Sequence, residues 1–229
     1  MHLTDLKSLF NITVIAECCS FLTALILLSK RTGIWRLFIL LLFLTIVAET
    51  TGWYLWNIRG VQNNSWIFNI LLLIRVSVFI TLLGSAEPLR KARKAVSFAG
   101  SFYNAFGVCN LLFFEGPWTY NGITEVVGDI ILAVMSCYFF YKVLTEEAFT
   151  NLFTYEYYWF ANGLLFHSLG SVVLYLFLQP LWQYYKETGV NVYGFINYGI
   201  NVLLYGSLIV AFICRHRNTR LSQRLSLQS

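Results

Sequence analysis

Seven apolar windows, a scarcity of charge and a lopsided distribution of basic residues make this chain an all-α membrane protein, a bundle of seven transmembrane helices. Of its 229 residues 58% are hydrophobic and 12% charged, with a mean hydropathy of +0.64, which is too apolar for a soluble domain of this size. A helix crossing the hydrocarbon needs about 20 apolar residues. Windows at 8–29, 34–57, 65–84, 96–114, 122–144, 157–179 and 191–214 meet that length and leave little over. A closed barrel would need short strands of alternating polarity, and runs such as FILLLFLTIV do not alternate.

The basic residues set an orientation. With the N-terminus outside, one side holds Lys30, Arg31, Arg36, Arg90, Lys91, Arg93, Lys94, Lys142, Arg215, Arg217, Arg220 and Arg224, and the other holds Lys7, Arg59 and Lys186. Under the positive-inside rule the richer side is cytoplasmic, so seven spans put the C-terminus in the cytoplasm. The net charge of +5 is an orientation signal, and no nucleic acid need be invoked. The first window lacks a basic leader and a small-residue cleavage site, so it reads as a retained helix rather than a signal peptide. Residues 1–214 form the seven-helix membrane domain and 215–229 a basic cytoplasmic tail. Trp53, Trp56, Trp66, Trp118 and Trp182 fall near the outer boundary and Trp35 and Trp159 near the inner one, the belt positions of amphipathic rings.

Taken in order, every window but the fourth carries a polar candidate. The first holds Glu17; the second holds Glu49, beside Ala48 and Gly52 at small-residue packing distance; the third holds Arg75 at its middle. The loop EPLRKARKA then supplies four basic residues, as does the tail RHRNTRLSQR, and both suit contact with anionic lipid at about 1 kcal/mol per residue. The fifth window carries Asp129, the sixth His167, and the seventh Asn197 and Asn201. The prolines Pro88, Pro117 and Pro180 lie in loops or at helix ends, so no span has a proline kink. Five cysteines, at 18, 19, 109, 137 and 214, have no metal-ligand spacing and read as small apolar residues. A faint parallel repeat of a three-one-three kind pairs Glu17 with Asp129, Glu49 and Gly52 with His167 and Gly170, and Asn69 with Asn197.

Counting 1.5 Å of rise per residue puts Glu17, Glu49, Arg75, Asp129 and His167 in one slab roughly 10–18 Å below the outer surface, with Asn69, Asn197 and Asn201 in or just above it. Charges at that depth face the bundle interior, paired or lining water. Arg75 keeps its proton and needs a carboxylate, for which Glu17 and Glu49 are the first choices and Asp129 the third. Three acids against one arginine leave surplus negative charge, to be met by a proton, a cation or a cationic ligand. Glu17, Glu49, Arg75, Asp129, His167, Asn197 and Asn201 are therefore the candidate ligand-binding or proton-linked pocket.

Other seven-helix classes lack their residues here. The last window has no lysine for a retinal Schiff base, only His167 lies within a span where zinc hydrolases need several histidines, and no nucleophile-elbow motif occurs. No enzyme activity, metal or cofactor is expected. The segments WFANGLLFHSLGSVVLYLF, 159–177, and INYGINVLLYGSLIVAF, 196–212, resemble small uncharacterised seven-helix membrane proteins of Bacteroidota-type bacteria, which are similar to the membrane sensory regions of some histidine kinases. The resemblance covers the last two or three spans and rests on aromatic and glycine placement. It implies a bacterial inner-membrane protein with a sensory or accessory role, and transfers no functional residue. The expected function is a receptor-like or sensory one, with a small ligand or proton in the pocket and a signalling partner protein at the basic face; a small proton-coupled transporter or an accessory subunit is the alternative.

Overall fold

The computed structural model describes residues 12–28, 30–61, 63–145 and 151–226, and every regular element among them is helical. The helices are α1 (Ile12–Leu27), α2 (Leu37–Asn57), α3 (Ser65–Gly84), α4 (Arg93–Phe113), α5 (Gly122–Thr145), α6 (Glu156–Leu176), α7 (Leu178–Thr188) and α8 (Val192–Ser226). Short 3-10 turns at Lys30–Arg36, Glu87–Ala92 and Leu152–Thr154 lead into α2, α4 and α6. Six helices, α2 to α6 and α8, are long and apolar enough to cross a membrane, and α1 is a shorter apolar helix of 16 residues. Lys7 and the first residues of the 8–29 window lie outside the described residues, as do the side chains of Lys30, Arg31 and Arg224.

Six helices close a ring in the order α1, α2, α3, α5, α6, α8, with α8 returning to α1. The fourth helix lies outside this ring, against α3 and α5. Close approach is achieved with small residues, as expected where lipid tails supply no hydrophobic drive between helices. A Cβ on Gly163 of α6 would meet the Ser207 Cβ of α8 at 2.5 Å, and one on Gly128 of α5 would meet the Tyr103 ring of α4 at 2.8 Å. Ser207 is too short to swing away. Gly163→Val is therefore expected to lower the folding free energy by roughly 1–3 kcal/mol through overpacking, read as an earlier thermal transition in detergent. A Cβ on Gly52 would meet the Phe68 ring across the α2–α3 contact at 2.9 Å, in keeping with the small-residue packing read for Ala48 and Gly52.

The half of the bundle nearer the basic loops is filled with rings. Phe38 packs against Phe160 and Phe212, each at 5.2 Å, and against Trp35 at 5.4 Å, while Phe79 closes on Phe160 at 5.7 Å. All five are buried. Tilted and edge-on pairs of this kind are each worth about 0.5–1.5 kcal/mol beyond the area they cover, so the cluster is a dry plug across the ring.

Three features depart from the sequence reading. Trp35 is not a belt residue: it is fully buried and donates from Nε1 to the Tyr157 hydroxyl at 3.1 Å, because the 3-10 turn that carries it folds under the bundle. The connection after the sixth window is not a plain loop, since α7 occupies it with no buried residue and ends at Gly189, whose φ of 73° favours glycine. Its Leu178, Trp182, Tyr184 and Tyr185 are exposed, the pattern of a helix lying at a headgroup boundary. Finally, the segment that follows residue 214 begins as helix. Residues 215–226 continue α8, and nothing in RHRNTRLSQR breaks a helix. The continuation is bolted down: Arg215 Nη1 donates to Glu156 Oε1 at 2.7 Å, Asn218 Nδ2 to Glu156 Oε2 at 2.7 Å, and His216 Nδ1 lies 2.9 Å from the Leu27 carbonyl.

Candidate functional site: an acidic cavity within the helix ring

At the end of the ring opposite the basic loops is a cavity of about 260 Å³. The helices present to it polar residues spaced by one turn: Thr13 and Glu17 from α1, Thr45 and Glu49 from α2, His167 and Ser171 from α6, and Asn197, Asn201 and Tyr205 from α8. Positions i and i+4 share a helix face, so each pair is one stripe aimed inward. From α3 come Phe68, Leu71, Leu72 and Arg75, and Tyr120 and Glu125 enter from the start of α5 and the residues before it. Six of the seven sequence candidates, Glu17, Glu49, Arg75, His167, Asn197 and Asn201, thus line one space. The seventh, Asp129, does not; it is buried behind the wall beside Ser168 and Ser171, within electrostatic reach of Arg75.

Arg75 faces the cavity rather than lipid, and its partner corrects the expectation. Nη2 donates to Glu125 Oε1 at 3.3 Å, whereas no described ion pair joins it to Glu17, Glu49 or Asp129. Ring order gives the reason for Glu17, since α1 lies across the cavity from α3; Glu49 is on α2, which borders α3 as α5 does, and there the reach of the side chains decides. Glu125 and Asp129 are one turn apart on α5, so the upper carboxylate takes the guanidinium and the lower one remains in the wall. Both side chains of the pair retain about a fifth of their exposure, 20% for Arg75 and 23% for Glu125, directed into the cavity they line.

The remaining acids have no such partner. Glu17 is 3% exposed, and its Oε2 has no hydrogen-bond donor among the described residues. Tyr205 lies beside it, and Glu49 is its nearest like charge. His167 is buried next to the Asn201 side chain, which donates to the Asn197 carbonyl at 2.8 Å. Tyr120, just before α5, stands beside the Glu125 carboxylate at the mouth of the cavity.

Asn69 belongs beside the site rather than in it. Its Nδ2 donates to the Thr119 and Pro117 carbonyls at 2.8 and 3.2 Å, and its Oδ1 accepts from the Asn121 amide at 2.9 Å. These bonds fix the segment that presents Tyr120 and the first turn of α5. Nearby, Asn63 donates to the Trp118 carbonyl, and Asn110 donates to Thr124 Oγ1 at 2.9 Å. Asn69→Ala is expected to cost about 1–3 kcal/mol, the penalty for stranding buried backbone groups, and to weaken anything bound at Glu125, measured by thermal unfolding and binding on the same sample.

Glu125, Ser171 and Tyr205 are among the lining residues that sequence reasoning missed, whereas Tyr120 was legible as one of the tyrosines at the outer helix ends that suit an amphipathic ligand. A usable signal existed for three: Glu125 is one turn before Asp129, Ser171 one turn after His167, and Tyr205 one turn after Asn201. Among the described residues no three His, Cys, Asp or Glu side chains stand close enough to share a metal ion. The described cysteines are unpaired thiols. A second recess, of about 840 Å³, lies between α3 and α4 with Arg90 and Arg93 at its edge and Ser77, Ser97, Ser101 and Asn104 along it.

No protein-family model, no curated protein and no solved structure matches the chain.

Proposed function

We propose that this integral membrane protein is receptor-like or sensory, with its N-terminus outside and a small ligand entering the acidic cavity from that side. The observation that carries the reading is the cavity itself: five ring helices and the start of a sixth aim ionisable or hydrogen-bonding side chains into one space, and intramembrane charges at such a place are functional by default. A ligand that engages Glu125 or Arg75 changes their pairing and, through α3 and α5, the packing of the ring. A partner protein reads that change at the basic end, where Glu156 ties the extension of α8 to α6. The basic loop at 90–94 rests on anionic lipid. A bacterial inner membrane is the setting that the sequence resemblance implies.

A small transporter is the second reading, favoured by the ring. Its neighbour pairs match under exchange of α1, α2, α3 for α5, α6, α8, with α4 as the odd helix, the arrangement a parallel duplication leaves. The plug of Phe38, Phe79, Phe160, Phe212 and Trp35 opposes it, since solute would have to pass five packed rings. Purified protein in liposomes tests the two. The sensory reading expects ligand binding without solute or proton flux; saturable flux abolished in Arg75→Leu would replace it with transport.

A further inference from the structure

We infer that the cavity recognises a small organic monocation, a primary amine with an apolar body, held by Glu17 and Glu49 beneath tyrosine rings. The inference rests on the pocket reading above and deepens it by naming the ligand's chemistry. The charge count comes first. Arg75 is engaged by Glu125 at 3.3 Å, which leaves Glu17 and Glu49 facing the same space with no described cation within ion-pair distance. A buried carboxylate oxygen without a donor is costly. Glu17 Oε2 is such an atom, in a side chain 3% exposed that nonetheless lines the cavity. An ammonium group supplies the N–H donors and the positive charge in one step, and charge-assisted bonds of that kind are the strong ones.

The choice among cations follows from the walls. Divalent ions take six or more oxygen ligands, or three to four nitrogen and sulfur ligands, and no three acidic, thiol or imidazole groups among the described residues can meet on one ion. Tyr120, Tyr193, Tyr198 and Tyr205 line the space instead. Aromatic faces attract organic cations by their quadrupole and accept an apolar body as well. At about 260 Å³ the space lies below the ~300–1,000 Å³ of pockets for drug-sized ligands, so the amine is small.

The experiment is a matched set of probes on the full chain in detergent: 2-phenylethylamine, its neutral counterpart 2-phenylethanol, the anion 3-phenylpropionate and the zwitterion phenylalanine. The expected result is a saturable rise in melting temperature with the amine alone, with affinity reduced at least tenfold in Glu17→Gln. Glu49→Gln gives the same reading should Glu17→Gln fail to fold. Equal stabilisation by the alcohol, preference for the anion or zwitterion, or undiminished amine binding in a folded Glu17→Gln or Glu49→Gln protein overturns the assignment. Thiol labelling of Asn201→Cys separates the two levels of claim. Labelling without any amine effect removes the amine and leaves the pocket, whereas no labelling removes both.

Discussion

Arg75→Leu is expected to destabilise the protein by about 1–3 kcal/mol. The substitution leaves Glu125 without its cation among acids that already outnumber positive groups. Breaking a fully buried ion pair costs about 3–5 kcal/mol. Arg75 and Glu125 keep 20% and 23% of their side-chain exposure, and water in the cavity softens the loss to the lower range. Leucine at 75 suits the apolar character of α3, so local helix propensity is not the cause of the effect. A double-mutant cycle isolates the pair: Arg75→Leu with Glu125→Leu is expected to cost less than the sum of the singles, with a coupling of about 1–2 kcal/mol. Additive losses in reversible denaturation would mean that the 3.3 Å contact contributes nothing. The same cycle with Glu17→Leu in place of Glu125→Leu is expected to show a smaller coupling.

The larger effect on stability is expected at the other end of the bundle. Glu156 has only 5% of its side chain exposed and receives hydrogen bonds from both Arg215 and Asn218, each at 2.7 Å. Its loss in Glu156→Ala removes a carboxylate that satisfies two donors at once, and a cost of about 3–5 kcal/mol is expected. Glu156→Gln keeps an acceptor and is expected to fall between that variant and the parent. Because the residues released belong to the extension of α8, the damage has an address. Trypsin is expected to cut after Arg217 and Arg220 in Glu156→Ala well before it cuts the parent, and unchanged cleavage with unchanged melting would show that the extension is held by something else. Arg215 also sits over the Trp35 ring at 5.9 Å, which connects this tether to the aromatic plug. Release of the extension is therefore expected to loosen the plug, seen as altered tryptophan fluorescence.

The positions of the apolar helices were legible because bilayer thickness fixes span length, and each apolar window must close its own backbone hydrogen bonds. The level of the polar layer was legible for the same reason: a fixed rise per residue turns a count into a depth. Which carboxylate meets Arg75 was not, since that depends on ring order. Sequence neighbours suggested α1 and α2; the ring puts α1 across the cavity and sets α5 beside α3 opposite α2. Asp129 shows the limit of depth alone, for it has the right level and the wrong position, behind the wall that Glu125 overhangs. Trp35 and Glu156 show a second limit. Both lie at window edges, where a residue can face headgroups or fold under the bundle, and only the 3-10 turns at Lys30–Arg36 and Leu152–Thr154 decide between them. The continuation of α8 was hidden by composition, because basic residues past a span signal topology as well as they signal helix.

The cavity's openness and charge are tested most directly by the reactivity of a single thiol in it. In a background with the five natural cysteines replaced, Asn201→Cys is expected to react with a cationic methanethiosulfonate several-fold faster than with an anionic one. Ser136→Cys, fully buried among the ring helices, is expected to resist both. A folded Asn201→Cys protein that reacts with neither reagent, or reacts faster with the anion, would contradict an open acidic chamber around Arg75.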